Sequence, residues 1–382
     1  MAQEFKALGH QVVIVVSDKT LSGQGRLPEH EIMDGLDVYR FKRIQLGSSI
    51  FHLFINLMDV VKNYILIRKL NRRYRFNLAV LRSASVGLGA AFALRNTKTL
   101  YVLPAIHSKQ DRIPVHGFTG NTIVRQLKYL VHEHVFLRQT SCFQRLLLKV
   151  ASKSFVFSRN MRTQVSNIAP GLVSKIEIIK PGVDSSTFSP GNKKARLRNL
   201  LKIPVDGYVF LIIGRIVKVK GIDIAIKALA KSNQLDILLV VVGDGPEVAE
   251  LKDLAMGLGV EDRILFFPST NNPKEYYQAA DAFVMSSTYE PFGQTILEAM
   301  SSGLPVIGFK YDSDRVLTAT DEIVEDNVNG FLCDFGVAPL ANALSKCIAL
   351  SAEEYNQIAK KNREKMKSIF TWKKFCDELL KV

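Results

Sequence analysis

Cysteine is scarce in this sequence: Cys142, Cys333, Cys347 and Cys376 are the only four in 382 residues. None forms a CxxC pair, and no His/Cys cluster has zinc-ligand spacing, which argues against a zinc module or a disulfide-framed fold. Low-complexity tracts are missing and charged residues make up only 23%, so disorder is not the expectation. Nor is there an uninterrupted apolar run of the ~20 residues that a bilayer-spanning helix needs. The nearest candidate, Phe51 to Leu70, is broken by Asp59, Lys62 and Asn63 and reads as a buried or half-buried helix. The opening residues lack the pattern of a secretory leader. A reduced, cytoplasmic protein is the expectation.

What is present is apolar sequence and positive charge. Hydrophobic residues make up 47% of the chain, and at this length two domains of ordinary size are expected. The formal net charge of +15 favours an anionic partner. Between Asn121 and Arg162 stand Arg125, Lys128, Arg138, Arg145, Lys149, Lys153, Arg159 and Arg162, opposed only by Glu133 and interleaved with leucine, valine and phenylalanine. A second cluster comprises Arg68, Lys69, Arg72, Arg73 and Arg75. Such charge serves either as a solvated helix face or as an interfacial face for anionic lipid at the cytoplasmic membrane surface. Nucleic acid is not expected, because no recognition motif accompanies the charge.

Short apolar runs alternate with amphipathic stretches. Gln11 to Ser17, Asn77 to Leu81, Thr99 to Leu103 and Ser154 to Phe157 read as strands in the first half. In the second half, strands are expected at Tyr208 to Ile213, Leu235 to Val242, Ile264 to Phe267, Ala282 to Met285 and Pro305 to Gly308, with helices between them. Near-continuous apolar strands separated by helices indicate an α/β chain with buried parallel sheets. Pro181 to Lys202 is linker-like, which suggests domains at 1–190 and 191–362. One last helix, Ala352 to Leu380, follows, and its 363–382 part is expected to pack back on the first domain. The chain opens on a helix-like segment, Ala2 to Leu8, before its first strand. A strand–helix–strand unit needs a strand ahead of that helix, so the first domain is expected to lack its first strand and the Gly-rich turn after it, and an upstream segment is expected.

The run Ser286 to Gly308 carries the strongest chemical signal. It reads as a strand end, a loop with Glu290, and a helix beginning near Gly293. Backbone N–H groups of Phe292, Gly293, Gln294 and Thr295 at that helix start form a potential anion site. Glu298, about one turn in, could accept hydrogen bonds from a ribose diol; taken by itself it reads first as compensation of the helix dipole.

The spacing of Glu290 and Glu298, with Pro291-Phe292-Gly293 between them and Gly303-Leu304-Pro305-Val306 after, resembles the E-x7-E signature of family 4 glycosyltransferases, glycosyl transferases group 1. Other ordered segments are similar to elements of the same family: Gly9-His10-Gln11-Val12, Pro181-Gly182-Val183-Asp184, Gly214-Arg215 with Lys220-Gly221, Gly243-Asp244-Gly245-Pro246, and Asn329-Gly330-Phe331-Leu332. The resemblance implies the GT-B fold, two Rossmann-like domains facing across a cleft, and retaining transfer of a sugar from a nucleotide diphosphate sugar to a glycan or lipid-linked acceptor, as in cell-envelope glycan biosynthesis. It implies that Arg215 and Lys220 hold the diphosphate, that Glu298 binds the ribose, and that Glu290 with the amides of Phe292 and Gly293 faces the sugar. Gln294, Thr295 and Gly214 belong to the same donor site, and Gly243 and Gly245 let backbone approach the nucleotide. His107, after the strand at Thr99 to Leu103, is placed where relatives have a sugar-contacting histidine, with His116 as an alternative. Ser158 reads as a helix cap.

Two departures stand out. The glycine-rich loop after the first strand is missing, and Tyr311 to Glu325 replaces the family's GGxxE element. Asp312-Ser313-Asp314 spells a D-x-D pattern, read here as a polar loop, so neither a metal nor another cofactor is expected. Rival readings are a sugar-nucleotide epimerase of the same fold and a nucleotide-sugar-binding remnant without activity.

Overall fold

The computed structural model describes residues 1–18, 26–43, 52–106, 137–232 and 236–382. The chain divides into two units, Met1–Ile179 with Cys376–Val382, and Lys180–Phe375.

The first unit contains, in chain order, α1 (Ala2–Ala7), β1 (Val13–Ser17), β2 (His30–Met33), β3 (Leu36–Phe41), α2 (His52–Tyr74), β4 (Leu78–Leu81), α3 (Ala84–Ala93), β5 (Lys98–Val102), α4 (Leu137–Val150), β6 (Lys153–Val156), α5 (Arg159–Ile168) and β7 (Ile176–Ile178). Its strands form two sheets. β1 runs parallel to β3, which pairs antiparallel with β2. β4, β5, β6 and β7 pair in that order, all parallel. Among the described residues no strand lies between β1 and β4. The apolar centres of β5 and β6 are buried with Leu88, Leu147 and Met161 in one core.

The helix expected around Phe51 to Leu70 forms as α2, which buries polar residues together with Ile55, Ile67 and Leu70. Asn56, Asp59 and Asn63 face inward and are buried, whereas Phe54, Leu57, Val61 and Ile65 are exposed. Each has a partner for one side-chain atom: Asn56 Nδ2 donates to Gln139 Oε1 (3.0 Å), Asp59 Oδ2 lies 3.0 Å from Arg43 Nε, and Asn63 Nδ2 donates to the Val86 carbonyl, while Asp59 Oδ1 and Asn63 Oδ1 have no partner among the described residues.

The second unit follows the alternation read from the sequence closely. It contains α6 (Lys194–Leu201), β8 (Tyr208–Ile213), α7 (Ile222–Ala230), β9 (Ile237–Val242), α8 (Val248–Gly257), β10 (Ile264–Phe267), α9 (Lys274–Ala279), β11 (Ala282–Met285), β12 (Tyr289–Glu290), α10 (Gln294–Ser301), β13 (Val306–Phe309), β14 (Leu317–Thr318), α11 (Thr320–Ile323), β15 (Gly330–Cys333), α12 (Val337–Ile348) and α13 (Ala352–Ser368), then the start of α14 (Trp372–Leu380). Six strands form one parallel sheet in the order β10-β9-β8-β11-β13-β15. Every residue of β9 is buried, as a strand covered by helices on both faces should be.

The single terminal helix expected from Ala352 to Leu380 is instead two, α13 and α14. Two hydrogen bonds account for the break. The Phe370 carbonyl accepts from Val183 N (2.9 Å) instead of continuing a helical ladder, and the Thr371 hydroxyl accepts from Lys374 N (3.2 Å) to start the next helix. Gly182 is needed at this contact, since a Cβ there would lie 2.2 Å from Trp372 N.

Candidate functional site

The sheet of the second unit grows outward from β8 through β9 to β10, then resumes on the other side of β8 with β11, β13 and β15. The order of connection therefore reverses between β8 and β11. In open parallel sheets the crevice beyond the carboxyl ends of the strands at such a reversal is where ligands bind. The loops leaving β8, β9 and β11 carry nearly all the residues that the sequence singled out.

The loop after β8 is built on two glycines with positive φ, Gly214 (+144°) and Gly221 (+60°). A Cβ on Gly221 would stand 2.2 Å from the Ser286 carbonyl, so only glycine lets the β8 loop meet the end of β11. The two loops are then fastened together. Ser286 Oγ donates to the Lys220 carbonyl (2.8 Å), and Thr288 N donates to the Val219 carbonyl (2.8 Å). This clamp brings Lys220 Nζ to 2.5 Å from Glu290 Oε2. Glu290 is steadied from its other side, because β12 pairs in parallel with β14, Glu290 opposite Thr318. Thus part of the segment replacing the family's GGxxE element serves as backbone support for Glu290. Arg215 is exposed and has no ion pair or hydrogen bond among the described residues.

The loop after β11 turns into α10 at Gly293, whose φ of +97° suits glycine, and the buried Phe292 ring packs against Phe370 with centroids 6.0 Å apart. The leading amides of α10, Gln294 N and Thr295 N, precede its first hydrogen bond, from Ile296 N to the Gly293 carbonyl (3.0 Å), and with the helix dipole they favour an anion. The Gln294 side chain is occupied, donating to the Gly182 carbonyl (3.0 Å); Thr295 is half-buried. One turn on, Glu298 Oε2 accepts a hydrogen bond from Tyr277 Oη (2.8 Å). Burial pushes the Glu298 carboxyl above the ordinary glutamate value, and the Tyr277 hydrogen bond works against that rise. Tyr277 is fully buried; burial first, then the adjacent Glu298, pushes its phenol well above the ordinary tyrosine value. Glu298 Oε1 has no protein partner among the described residues and remains able to accept.

Lys220, Glu290, Phe292, Gly293, Gln294, Thr295 and Glu298 therefore lie on the loops and helix at one sheet reversal, and Gly214 adjoins them: the Lys220 Nζ is 3.9 Å from where a Gly214 Cβ would be. Gly243 and Gly245 adjoin the same crevice, and the packing of the loops itself requires glycine at both. A Cβ on Gly243 would lie 1.9 Å from the Gly214 carbonyl, and one on Gly245 1.9 Å from the Ile216 carbonyl. These glycines let the β9 loop pack on the β8 loop. Asn329 is likewise architectural: its side chain accepts from Glu325 N (2.8 Å), and its carbonyl accepts from Asn362 Nδ2 (3.0 Å). Ser158 caps α5, accepting from Met161 N at 3.0 Å. Asp312 organises its own turn, accepting from the backbone of Asp314 and Arg315 and from the Arg315 guanidinium at 2.6 and 2.9 Å. The Arg315 hydrogen bond is the chief reason the Asp312 carboxyl sits below the ordinary aspartate value. His107 and His116 lie outside the described residues. Tyr277 was not signalled by any motif; it stands in α9 as one of two adjacent tyrosines, and only the fold shows which of them reaches Glu298.

Comparison with known proteins agrees with this geometry. Residues 193–365, which include every loop just described, match the family described as glycosyl transferases group 1. An uncharacterised glycosyltransferase of Haemophilus influenzae is 27% identical over 314 residues, covering 81% of this chain and 75% of the relative. A D-inositol 3-phosphate glycosyltransferase of Mycobacterium leprae is 32% identical over 240 residues, covering 60% of this chain; the chain spans only 54% of that relative's length. Among solved structures, Anabaena HepE in complex with UDP-glucose superposes with a TM-score of 0.69 at 22% identity, covering 91% of this chain and 87% of HepE, a likeness of fold. The match over residues 193–365 places the second unit in the family described as glycosyl transferases group 1, with the E-x7-E loop and helix at its sheet reversal, and the fold of the chain is GT-B, two units of Rossmann type.

Proposed function

We propose that this chain transfers a sugar from a nucleotide diphosphate sugar to an acceptor hydroxyl with retention at the anomeric carbon. One arrangement carries the reading: Lys220–Glu290 and the first turn of α10 flank the sheet reversal, and Glu298 stands one turn further with an unused oxygen. The UDP-glucose bound by HepE supports a uridine diphosphate sugar as the first donor to try.

In this reading the diphosphate is received by Arg215, Lys220 and the leading amides of α10. Negative charge grows on the leaving phosphate as the glycosidic bond breaks, and fixed cations and amides stabilise that charge most in the transition state. Glu298 Oε1 accepts from the ribose hydroxyls, and Glu290 faces the sugar. Glu290 is held by Lys220 and Glu298 by Tyr277, so neither carboxylate is disposed as a free nucleophile for double displacement. The acceptor oxygen then bonds to the anomeric carbon on the face the diphosphate leaves, and its proton passes to the departing phosphate oxygen. The positive field of Arg215, Lys220 and a helix terminus fills the role a metal would otherwise have, so no metal is required. His107 is retained as the sugar-side candidate from the first unit.

The acceptor is a glycan or a lipid-linked molecule reached from an anionic membrane surface. Arg145 and Lys149 are exposed one turn apart on α4, beside exposed Leu146 and Val150, and α2 offers its own exposed apolar stripe. No helix among the described residues is long and apolar enough to cross a membrane. Arg125 and Lys128 lie outside the described residues.

The test is product analysis with a panel of nucleotide sugars and acceptors, with the anomeric configuration read by NMR. Transfer with retention is expected, and Arg215→Ala should lower turnover about 10²–10³-fold while leaving stability within ~0.5 kcal/mol, as at most surface positions. Donor isomerisation without an acceptor would replace the reading with an epimerase; donor binding without turnover would reduce it to a binding protein.

A further inference from the structure

Negative charge is missing from a long stretch of the first unit. No aspartate or glutamate stands between Asp59 and Asp111, whereas ten lysines and arginines do, five of them on α2. The outer face of that helix orders them. Phe54, Leu57, Val61 and Ile65 recur every three or four residues, so they form a stripe along one face, and all four are exposed. The same spacing continues through Arg68 and Arg72, both exposed, with exposed Lys69 beside them. One face of α2 is therefore apolar for three turns and cationic for the turns that follow. A solvated face would be polar throughout, and a core-facing one apolar throughout.

Beside Arg68 a pocket of about 400 Å³ opens between α2 and the turn that follows α3. Its walls include Tyr64, Arg68 and Asn71 from α2 and Arg95, Asn96 and Thr97 from the turn. No carboxylate lines it. Arg68 Nη1 donates to Tyr64 Oη (2.8 Å), and Arg95 has no hydrogen bond or ion pair among the described residues. Asn71 Oδ1 accepts from Phe76 N (2.9 Å), which leaves Nδ2 to donate. The pocket thus offers two guanidinium groups and an amide, all donors, at the point where the apolar stripe ends.

We propose, resting on the membrane reading above, that α2 lies in the surface of an anionic bilayer, its apolar stripe among the lipids, and that the pocket between Arg68 and Arg95 holds the phosphodiester of one anionic phospholipid. A phosphodiester accepts hydrogen bonds and donates none, and one guanidinium can meet two of its oxygens at once. A free phosphate would meet the same donors but gives the exposed stripe no role. A phospholipid carries phosphate and acyl chains on one molecule and accounts for both. From Phe54 to Ile65 the stripe runs about 17 Å along the helix axis, parallel to the surface, as an interfacial amphipathic helix lies. A second copy of the chain is a poorer occupant. Pairing α2 with itself would set Arg68 and Arg72 against their own copies or against the apolar stripe, and the acid of this helix, Asp59, is buried and cannot answer them.

The whole chain is sedimented with vesicles of phosphatidylcholine and with vesicles of equimolar phosphatidylcholine and phosphatidylglycerol. Binding to the anionic vesicles is expected, and Arg68→Ala/Arg95→Ala should weaken it about 30-fold, two cations being lost at the lipid surface, with an unchanged melting temperature. Ile65→Trp puts a reporter in the stripe. Its fluorescence should shift to the blue and be quenched by brominated acyl chains on anionic vesicles, beyond the signal of Trp372 in the wild-type chain. Anionic binding that survives Arg68→Ala/Arg95→Ala would overturn the site on α2; if it is lost in Arg145→Ala/Lys149→Ala, the membrane reading still stands. No preference for anionic over neutral vesicles would overturn both. Binding without quenching in Ile65→Trp would overturn the insertion of the stripe. Glycerol 3-phosphate supplies the headgroup alone: slowed amide exchange at Arg95–Thr97 in a chain that ignores anionic vesicles would assign the pocket to a free phosphate and overturn the proposal. Dimerisation abolished by Leu57→Ser/Ile65→Ser, without vesicle binding, would give the stripe to a second copy and overturn it as well.

Discussion

Tyr277 offers the sharpest probe of how the donor residues are held. Tyr277→Phe keeps the ring between Phe188 and Phe283, whose centroids lie 5.7 and 5.9 Å away, and removes only the hydroxyl that donates to Glu298. Losing a hydrogen bond to a charged acceptor costs about 1.5–3 kcal/mol, and 1.4 kcal/mol corresponds to a tenfold change in affinity. If Tyr277 aims the Glu298 carboxylate at the ribose, nucleotide affinity at neutral pH should drop by roughly tenfold or more. The pH dependence supplies a second reading. Burial already raises the Glu298 carboxyl above the glutamate norm, and the tyrosine bond counters this by favouring the charged form. A raised carboxyl takes its proton earlier as pH falls, so wild-type affinity for nucleotide should decline on the acid side sooner than for an ordinary glutamate. Removing the hydroxyl should move that decline to still higher pH, and Glu298→Gln should flatten it. Isothermal titration of UDP across the mildly acidic to neutral range measures both effects. An unchanged affinity and an unmoved profile in Tyr277→Phe would refute the reasoning.

Three further outcomes are expected. Gly245→Ala forces a Cβ onto the Ile216 carbonyl and should destabilise the chain by about 1–3 kcal/mol, read by urea unfolding; wild-type stability would mean that the β9 loop does not pack where it is seen. Transfer should survive EDTA, and loss of activity rescued by manganese or magnesium would return Asp312 and Asp314 to consideration as ligands. Binding to anionic vesicles should weaken with salt and with Arg145→Ala/Lys149→Ala, each cation contributing about 1 kcal/mol; equal sedimentation with neutral and anionic vesicles would contradict the membrane reading.

The second unit was legible because fully buried parallel strands must be apolar along their whole length. Tyr208–Ile213, Ile264–Phe267 and Ala282–Met285 form at the bounds that their apolar runs predict. The E-x7-E loop was legible for a different reason: glycine at the helix start and glutamate one turn later are local features of backbone and spacing. What was hidden depends on contacts distant in sequence. Gly243 and Gly245 read as room for a nucleotide, yet the atoms that exclude a Cβ are the carbonyls of Gly214 and Ile216, nearly thirty residues away. Tyr277 is an ordinary helix residue until the fold sets its hydroxyl against Glu298. The break between α13 and α14 arises from Val183 capturing the Phe370 carbonyl, which helix periodicity cannot register. α2 misleads in the same way, because burial of Asn56, Asp59 and Asn63 depends on Gln139, Val86 and Arg43 being there to receive them.

The central claim is that the nucleotide diphosphate sugar sits at the sheet reversal of the second unit. Amide hydrogen exchange of the whole chain with and without UDP-glucose tests it directly. Slowed exchange is expected only in the loop from Gly214 to Gly221 and in the Glu290–Glu298 segment, and it should be abolished in Glu298→Ala. Protection elsewhere with these segments unchanged, or protection that persists in Glu298→Ala, would contradict it.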